Sequence, residues 1–186
     1  MNKIIIIVLL AVELLSCKNT EKEIDRVAIA KQYFEVLDKS DYSKMSNWFG
    51  DSLQTIEGGH STTYAIEDYL ELLKWDAVFD PTYEILEIEQ KGDVVIAKIS
   101  KMDKRILFLH EKPFITSQTV SFQNDKIIKV ETAYVNFDYP TWDKNKNSLL
   151  TWVNENHPEL NGFIHDQTEK GGLKFLKAIE LYKNRK

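Results

Sequence analysis

Cysteine is almost absent from this chain, with a single residue, Cys17, among 186. One thiol can close no internal disulfide, so the fold must be held by an ordinary apolar core. Glycine is scarce as well, at seven residues. No Walker loop, dinucleotide fingerprint or serine-elbow motif occurs, and no cofactor is implied. The four histidines, His60, His110, His157 and His165, are scattered without a second ligand at close spacing, so no metal site is expected. Basic residues are outnumbered 24 to 29 by acidic ones, giving a net charge of −5. With no basic stripe to reverse that balance, nucleic acid is not an expected partner. Long apolar runs are missing too: the nine residues Ile4 to Val12 fall far short of the roughly 20 that span a bilayer.

That short run follows Met1-Asn2-Lys3 and leads into Glu13-Leu14-Leu15-Ser16-Cys17. A positive start and a short apolar segment have the form of a secretory signal peptide. Leu14-Leu15-Ser16-Cys17 resembles the bacterial lipobox: an aliphatic residue, two tolerant positions ending in a small one, then cysteine. Glu13 departs from the apolar pattern. The resemblance implies removal of residues 1–16, lipid on the Cys17 sulfur and on the new amino terminus, and a membrane partner reached through that lipid. The expected location is therefore the cell envelope. Residues 17–23 carry the polar run Lys18-Asn19-Thr20-Glu21-Lys22-Glu23, which buries nothing and reads as a tether.

From Ile24 the pattern is globular, with 11% aromatic and 28% charged residues overall. Val27, Ala30, Phe34 and Leu37 recur at three- and four-residue steps and predict an amphipathic helix ending near Ser40. Tyr42 to Phe49 reads as a second, short helix stopped by Gly50. Ser52–Glu57 alternates as a strand and Gly58-Gly59 marks a turn. His60–Tyr64 leads into a helix from Ala65 to about Phe79, ended by Pro81. Tyr83–Glu89, Asp93–Met102, Arg105–His110, Phe114–Phe122 and Ile127–Phe137 all read as strands joined antiparallel by short connections. Helices over Ser148–Asn156 and about Thr168–Lys183 close the chain, with Gly171-Gly172 weakening the first turn of the last.

The order helix, helix, strand, glycine turn, helix and antiparallel strands resembles the nuclear transport factor 2-like superfamily, which includes SnoaL-like polyketide cyclases and ketosteroid isomerases. Three segments carry the resemblance: Val27–Leu37 with Tyr42–Met45 and Trp48; Gly58-Gly59-His60 with Ala65–Leu70; and Val120–Val130 around Asn124-Asp125. It implies an α+β cone, a curved sheet over N-terminal helices with a pocket between them, occupying residues 24–138. Residues 139–186 form a helical extension expected to pack on the same domain, and resemble extensions of exported members from Bacteroidetes.

Such a frame hosts many chemistries, so the reading of function turns on particular residues. An isomerase of this fold needs a carboxylate base with hydroxyl donors. Glu57 or Asp103 could serve as the base, and Tyr33, Tyr42 and Tyr64 as donors, but none sits on that family's motif. Hydrolases of the fold use Asp, Arg and Asp around a water. With only Arg26, Arg105 and Arg185, two of them near the ends, that set is not expected. His60, after the glycine turn, is a candidate acid or base with Glu57, although a surface-loop histidine is the plainer reading. His110 reads as part of a solvated turn. Trp48, Trp75 and Phe79 are pocket candidates among residues that otherwise serve as core. Thr132, Tyr134 and Asn136 share one strand parity with Ile128 and Val130, placing polar groups on an apolar face. The leading expectation is a lipid-anchored domain binding a small apolar ligand or a protein partner. An acid–base isomerase, cyclase or dehydratase is the alternative, and a structural homodimer formed through the outer sheet face is the third.

Overall fold

A computed structural model describes residues 25–185, so the signal segment 1–16, Cys17 and the whole of the tether lie outside the described residues. Helix α1 (Arg26–Lys39) starts where the Asp25 carboxylate accepts from Ala28 N, and ends at Ser40 in the left-handed conformation. It buries Ala30, Tyr33, Phe34 and Leu37, its periodic stripe. Tyr42–Asn47 form a 3₁₀ turn. Strand β1 (Phe49–Glu57) turns back through Gly58 and Gly59, at φ +56° and +82°, into β2 (His60–Ala65). Two successive positive φ values suit this tight hairpin, and glycine adopts them without strain. His60–Tyr64 is thus a strand that runs directly into the next helix. Helix α2 (Ile66–Ala77) follows.

Strands β3 (Thr82–Lys91) and β4 (Val94–Met102) precede a short helix, α3 (Lys104–Leu109). The segment Arg105–His110, expected from its composition to be a strand, is helical instead. Asp103 caps Ile106 N, and the burial of Ile106 and Leu109 follows a helical step while Leu107 is 51% exposed. Strands β5 (Phe114–Gln123) and β6 (Lys126–Tyr134) complete a sheet ordered β2-β1-β6-β5-β4-β3. All neighbours are antiparallel except β1 and β6, which run parallel. Strands β3 to β6 pair antiparallel as expected, and β1 lies parallel to β6 because the chain between them is a long crossover that permits a parallel return.

Register shifts in β1, in β3 between Ile85 and Glu87, and at Ser121/Phe122 bend the strands and curve the sheet. The last shift also moves β6 by one residue. Ile127, not Ile128, is buried on the same side as Val130, and the strict alternation read from the sequence breaks there.

Helix α4 runs Tyr139–Asn156, longer than the expected Ser148 start, because Asp138 caps Thr141 N and Pro140 sits in the first turn. Helix α5 spans Glu169–Lys183. One apolar cluster lies between α1, α2 and the concave sheet face, around Phe34, Phe49, Leu53 and Ile99. A second joins α2, α3, α4 and α5 through Phe79, Leu109, Leu149 and Phe175. No helix among the described residues is long and apolar enough to cross a membrane.

Candidate functional site

Between the helices and the concave face of the sheet lies a cavity of about 630 Å³. Its helical wall comes from Tyr33 of α1 and from Tyr69, Leu73, Trp75 and Asp76 of α2. Its sheet wall carries Thr116 and Gln118 of β5 beside Val130, Thr132 and Tyr134 of β6. These polar residues alternate with outward ones in place of the Val or Ile expected on a dry core face. Phe114, Phe137 and Trp142 form an aromatic side, with ring centroids 5.3–5.6 Å apart.

A charged network floors the cavity. Asp76, 7% exposed, accepts from Lys101 Nζ on Oδ1 at 2.6 Å and from the Tyr83 hydroxyl on Oδ2 at 2.8 Å. Arg105 Nη2 donates to Asp103 Oδ2 at 3.3 Å, and Lys101 Nζ stands 3.9 Å from the same oxygen. Burial alone would raise the Asp76 pKa, but Lys101, Arg105 and the two hydrogen bonds outweigh it and hold the carboxyl below its ordinary range. The Arg105 pKa is lowered by burial, yet Asp103 and Asp76 more than reverse this and leave it raised. The guanidinium carbon lies 4.8 Å from the Trp75 ring centroid and 5.5 Å from that of Phe79. Both Trp75 Nε1 and Arg105 Nε are buried without a hydrogen-bond partner among the described residues. A buried donor left without any partner costs about 1–3 kcal/mol.

Nearer the helices, the Tyr33 and Tyr69 hydroxyls share a 2.8 Å hydrogen bond. Burial pushes the Tyr33 pKa up to about 12, and burial together with Tyr33 raises that of Tyr69 well above its ordinary value. Both therefore remain protonated at neutral pH and can donate. Because one O–H is spent within the pair, the other is free. At the exposed rim, Glu57 and His60 face each other across the β1–β2 hairpin. Glu57 accepts from the Tyr134 hydroxyl, whose pKa is raised by burial and then by that carboxylate.

Of the residues singled out from sequence, Tyr33, Glu57, His60, Tyr64, Trp75, Thr132 and Tyr134 line the cavity. Three others do not and need correction. Trp48 packs half-buried against the main core. Phe79 is wholly buried in the second core, edge-on to Trp75 and Phe175. Asn136 is a backbone clamp: its Oδ1 accepts from Ile115 N at 2.8 Å and its Nδ2 donates to Pro113 O at 2.9 Å. It lies just past β6, where the strand parity no longer applies. Tyr42 is spent on Leu73 O, and Asp103 on its helix cap and Arg105. His110 is no solvated turn. At 1% exposure, its Nδ1 contacts Lys112 O at 2.8 Å and its Nε2 accepts from Asp138 N at 2.9 Å, which joins α3 to the start of α4.

The scarcity of arginine was a poor guide, since Arg105 reaches the cavity with Asp76 and Asp103 close by. Asp103 does not line the cavity, however, so the three do not form an open acid–arginine–acid set. Asp76, Lys101, Tyr69 and Tyr83 were missed. A signal existed for two of them: Asp76 falls on the apolar stripe of α2 with Tyr69 and Leu73, and Lys101 continues the inward parity of Val95, Ala97 and Ile99.

No family model and no curated protein matches this chain. Solved structures do. A nuclear transport factor 2-like protein of unknown function from Cytophaga hutchinsonii superposes with TM-score 0.50 at 9% identity, covering 62% of this chain and 94% of its own. A protein provisionally named a ketosteroid isomerase, from Kribbella flavida, gives 0.52 at 11% identity over 62% and 81%. A SnoaL-like protein from Shewanella putrefaciens, provisionally named a polyketide cyclase, gives 0.50 at 14% over 70% and 90%. The fold is the nuclear transport factor 2-like cone.

Proposed function

We propose that this chain is a lipid-anchored cell-envelope domain whose cone cavity binds a small, largely apolar molecule with a polar end. The cavity itself carries the reading: an aromatic side built from Phe114, Phe137 and Trp142 faces a buried polar floor at Asp76, Lys101 and Arg105. A site that is mostly apolar with a few placed polar groups is the usual make-up of a small-molecule pocket. The floor is internally paired, which suits holding a ligand better than moving protons, because an acid below its ordinary pKa is a weak base. Attachment through Cys17 rests on the lipobox resemblance alone. Native mass spectrometry of the chain purified from its host's membranes tests the binding reading. A bound small molecule released on unfolding is expected; the bare protein mass in every preparation would refute it.

A second reading has its own observation. Glu57, bonded to Tyr134 and opposite His60 at the rim, is a carboxylate beside a hydroxyl and an imidazole, which can serve acid–base chemistry. Isomerase and cyclase are the activities in the names of two of the fold neighbours. If a turnover is found, Glu57→Gln and His60→Ala should abolish it without lowering the melting temperature. Unchanged turnover in both variants would remove this reading.

A further inference from the structure

We infer that the free edge of β2 is a contact for a second copy of this chain, which adds its own β2 antiparallel and continues the sheet across a two-fold axis. The inference does not depend on what the cavity holds. The two edges of the sheet are built differently. At the β3 edge the Asp38 carboxylate of α1 takes the Tyr83 N–H at 2.8 Å, a bulge interrupts the strand between Ile85 and Glu87, and Glu84, Glu87, Glu89 and Lys91 spread charge along it. Such devices keep an edge from pairing with another chain. Strand β2 has none of them. His60-Ser61-Thr62-Thr63-Tyr64-Ala65 contains no proline, carboxylate, lysine or arginine, and it pairs with β1 without a register shift. Every one of its residues is exposed except Tyr64, which is half-buried.

The hairpin decides which backbone groups are free. A two-residue loop makes its flanking residues, here Glu57 and His60, a hydrogen-bonded pair, and such pairs alternate along the ladder. Thr62 and Tyr64 therefore turn N–H and C=O toward β1, while Ser61 and Thr63 turn theirs outward. No loop or cap takes up those outward groups among the described residues. Another antiparallel strand fits them, and β2 complements itself. With Ser61 of one copy opposite Thr63 of the other, every outward group of both residues is paired, and Thr62 meets Thr62 on the axis. That register brings no like charges together, and paired threonines suit facing positions. A two-fold contact of this kind uses the same patch on both copies and closes on itself, so assembly stops at the dimer. His60, Thr62 and Tyr64 line the cavity. The register sets Tyr64 of one copy beside His60 of the other, so each copy contributes to the rim of its neighbour's cavity. The strand is only six residues long, so the contact is smaller than a standard stable interface and shows itself in concentrated or membrane-held protein.

Cross-linking of the full chain in its host's membranes provides the test. Facing residues of a non-hydrogen-bonded antiparallel pair stand about 4.5 Å apart at Cα, within the range a disulfide spans. Thr62→Cys should therefore give a covalent dimer on mild oxidation, and the unsubstituted chain should not. Ser61→Cys faces Thr63 and not itself, so it should cross-link only when produced together with Thr63→Cys. Thr63→Pro removes an outward N–H and spares the ladder with β1. Added to Thr62→Cys, it should abolish the cross-link at an unchanged melting temperature. In the purified, unsubstituted chain the Ser61 and Thr63 amides should exchange with solvent more slowly in concentrated than in dilute solution, a readout that needs no variant. Amide exchange independent of concentration, with no Thr62→Cys dimer, would overturn the inference. A dimer trapped by Thr119→Cys on the outer face of β5, in place of Thr62→Cys, would overturn it in favour of face-to-face packing. Cross-linking of Thr62→Cys to a different envelope protein without the dimer would equally rule out the second copy.

Discussion

Replacing Gly171 by alanine in α5 should destabilise the chain even though alanine is the better helix former. At an exposed helical site the exchange would gain about 1 kcal/mol. At Gly171 the new methyl would collide with the backbone oxygen and side chain of Asp166, and a backbone atom cannot swing aside as a flexible side chain can. Overpacking of this kind costs about 1–3 kcal/mol, and a rigid partner puts it near the top of that range. The net loss is then about 2 kcal/mol. Gly172 is the graded comparison. Its methyl would stand 3.1 Å from both Trp75 Cδ1 and the Trp75 carbonyl oxygen and 3.2 Å from Val78 Cβ, so neighbours need yield only tenths of an ångström. Its overpacking cost and propensity gain should nearly cancel, within about 1 kcal/mol. For a domain of this size, about 1 kcal/mol moves Tm by roughly 2–4 °C. Gly171→Ala should therefore melt roughly 4–8 °C below the parent, and Gly172→Ala close to it. Calorimetric melting, with urea midpoints at constant m-value, measures both. A Gly171→Ala chain as stable as the parent would refute the claim that α5 sits this tightly against the segment before it.

Asp76→Ala should cost about 3–5 kcal/mol, because it strands Lys101 and the Tyr83 hydroxyl in a buried place; an unchanged urea midpoint would contradict this. The Asp76 pKa is lower folded than unfolded, so its contribution is present above the unfolded value of about 4 and fades as the pH falls below it. Acid unfolding of Asp76→Ala should accordingly be shallower than the parent's. At the alkaline end, Tyr33 rises from 10.0 to about 12 on folding, so its stabilisation is intact below pH 10 and is lost between pH 10 and 12. Tyr33→Phe should flatten that loss in a pH-stepped melting series. Exchanging residues 1–17 for an ordinary cleavable secretory signal should release a folded, lipid-free protein into the soluble fraction, whereas the native chain should take up radioactive palmitate; a lipid-free form that stays on membranes would contradict anchoring through Cys17.

The main elements were legible because local signals and burial agreed. The α1 stripe at Val27, Ala30, Phe34 and Leu37, the Gly58-Gly59 hairpin and the alternation of Val95, Ala97 and Ile99 each carry their own period. Arg105–His110 was misread because Ile, Leu and Phe suit a strand, while the Asp103 cap that decides for helix is a single residue. The site was harder to see for a different reason. Asp76, Lys101 and Arg105 come from α2, β4 and α3, and nothing local to any one of them announces the others. Trp48, Phe79 and Asn136 failed as pocket residues because their composition is right but their direction is set by packing: Phe79 points at α5, and Asn136 binds the backbone beside β5.

Trp75 links the two parts of this account. One side of its α2 segment meets Gly172 of α5, where no side chain larger than hydrogen fits without a shift. Its ring lies under the Arg105 guanidinium, and its own N–H is buried without a partner among the described residues. The helices after Tyr134 therefore do more than add stability. Helix α5 sets where Trp75 lies, and α4, with the turn before it, supplies Phe137, Tyr139 and Trp142 to the cavity wall. The His110 clamp on Asp138 N fixes where α4 begins and so where those rings stand. The cavity is thus walled on one side by the sheet and α2, and on the other by residues this chain places through its C-terminal helices. Its selectivity should follow from the second group. Proteins that share the cone but build that wall differently would accept different molecules on the same frame.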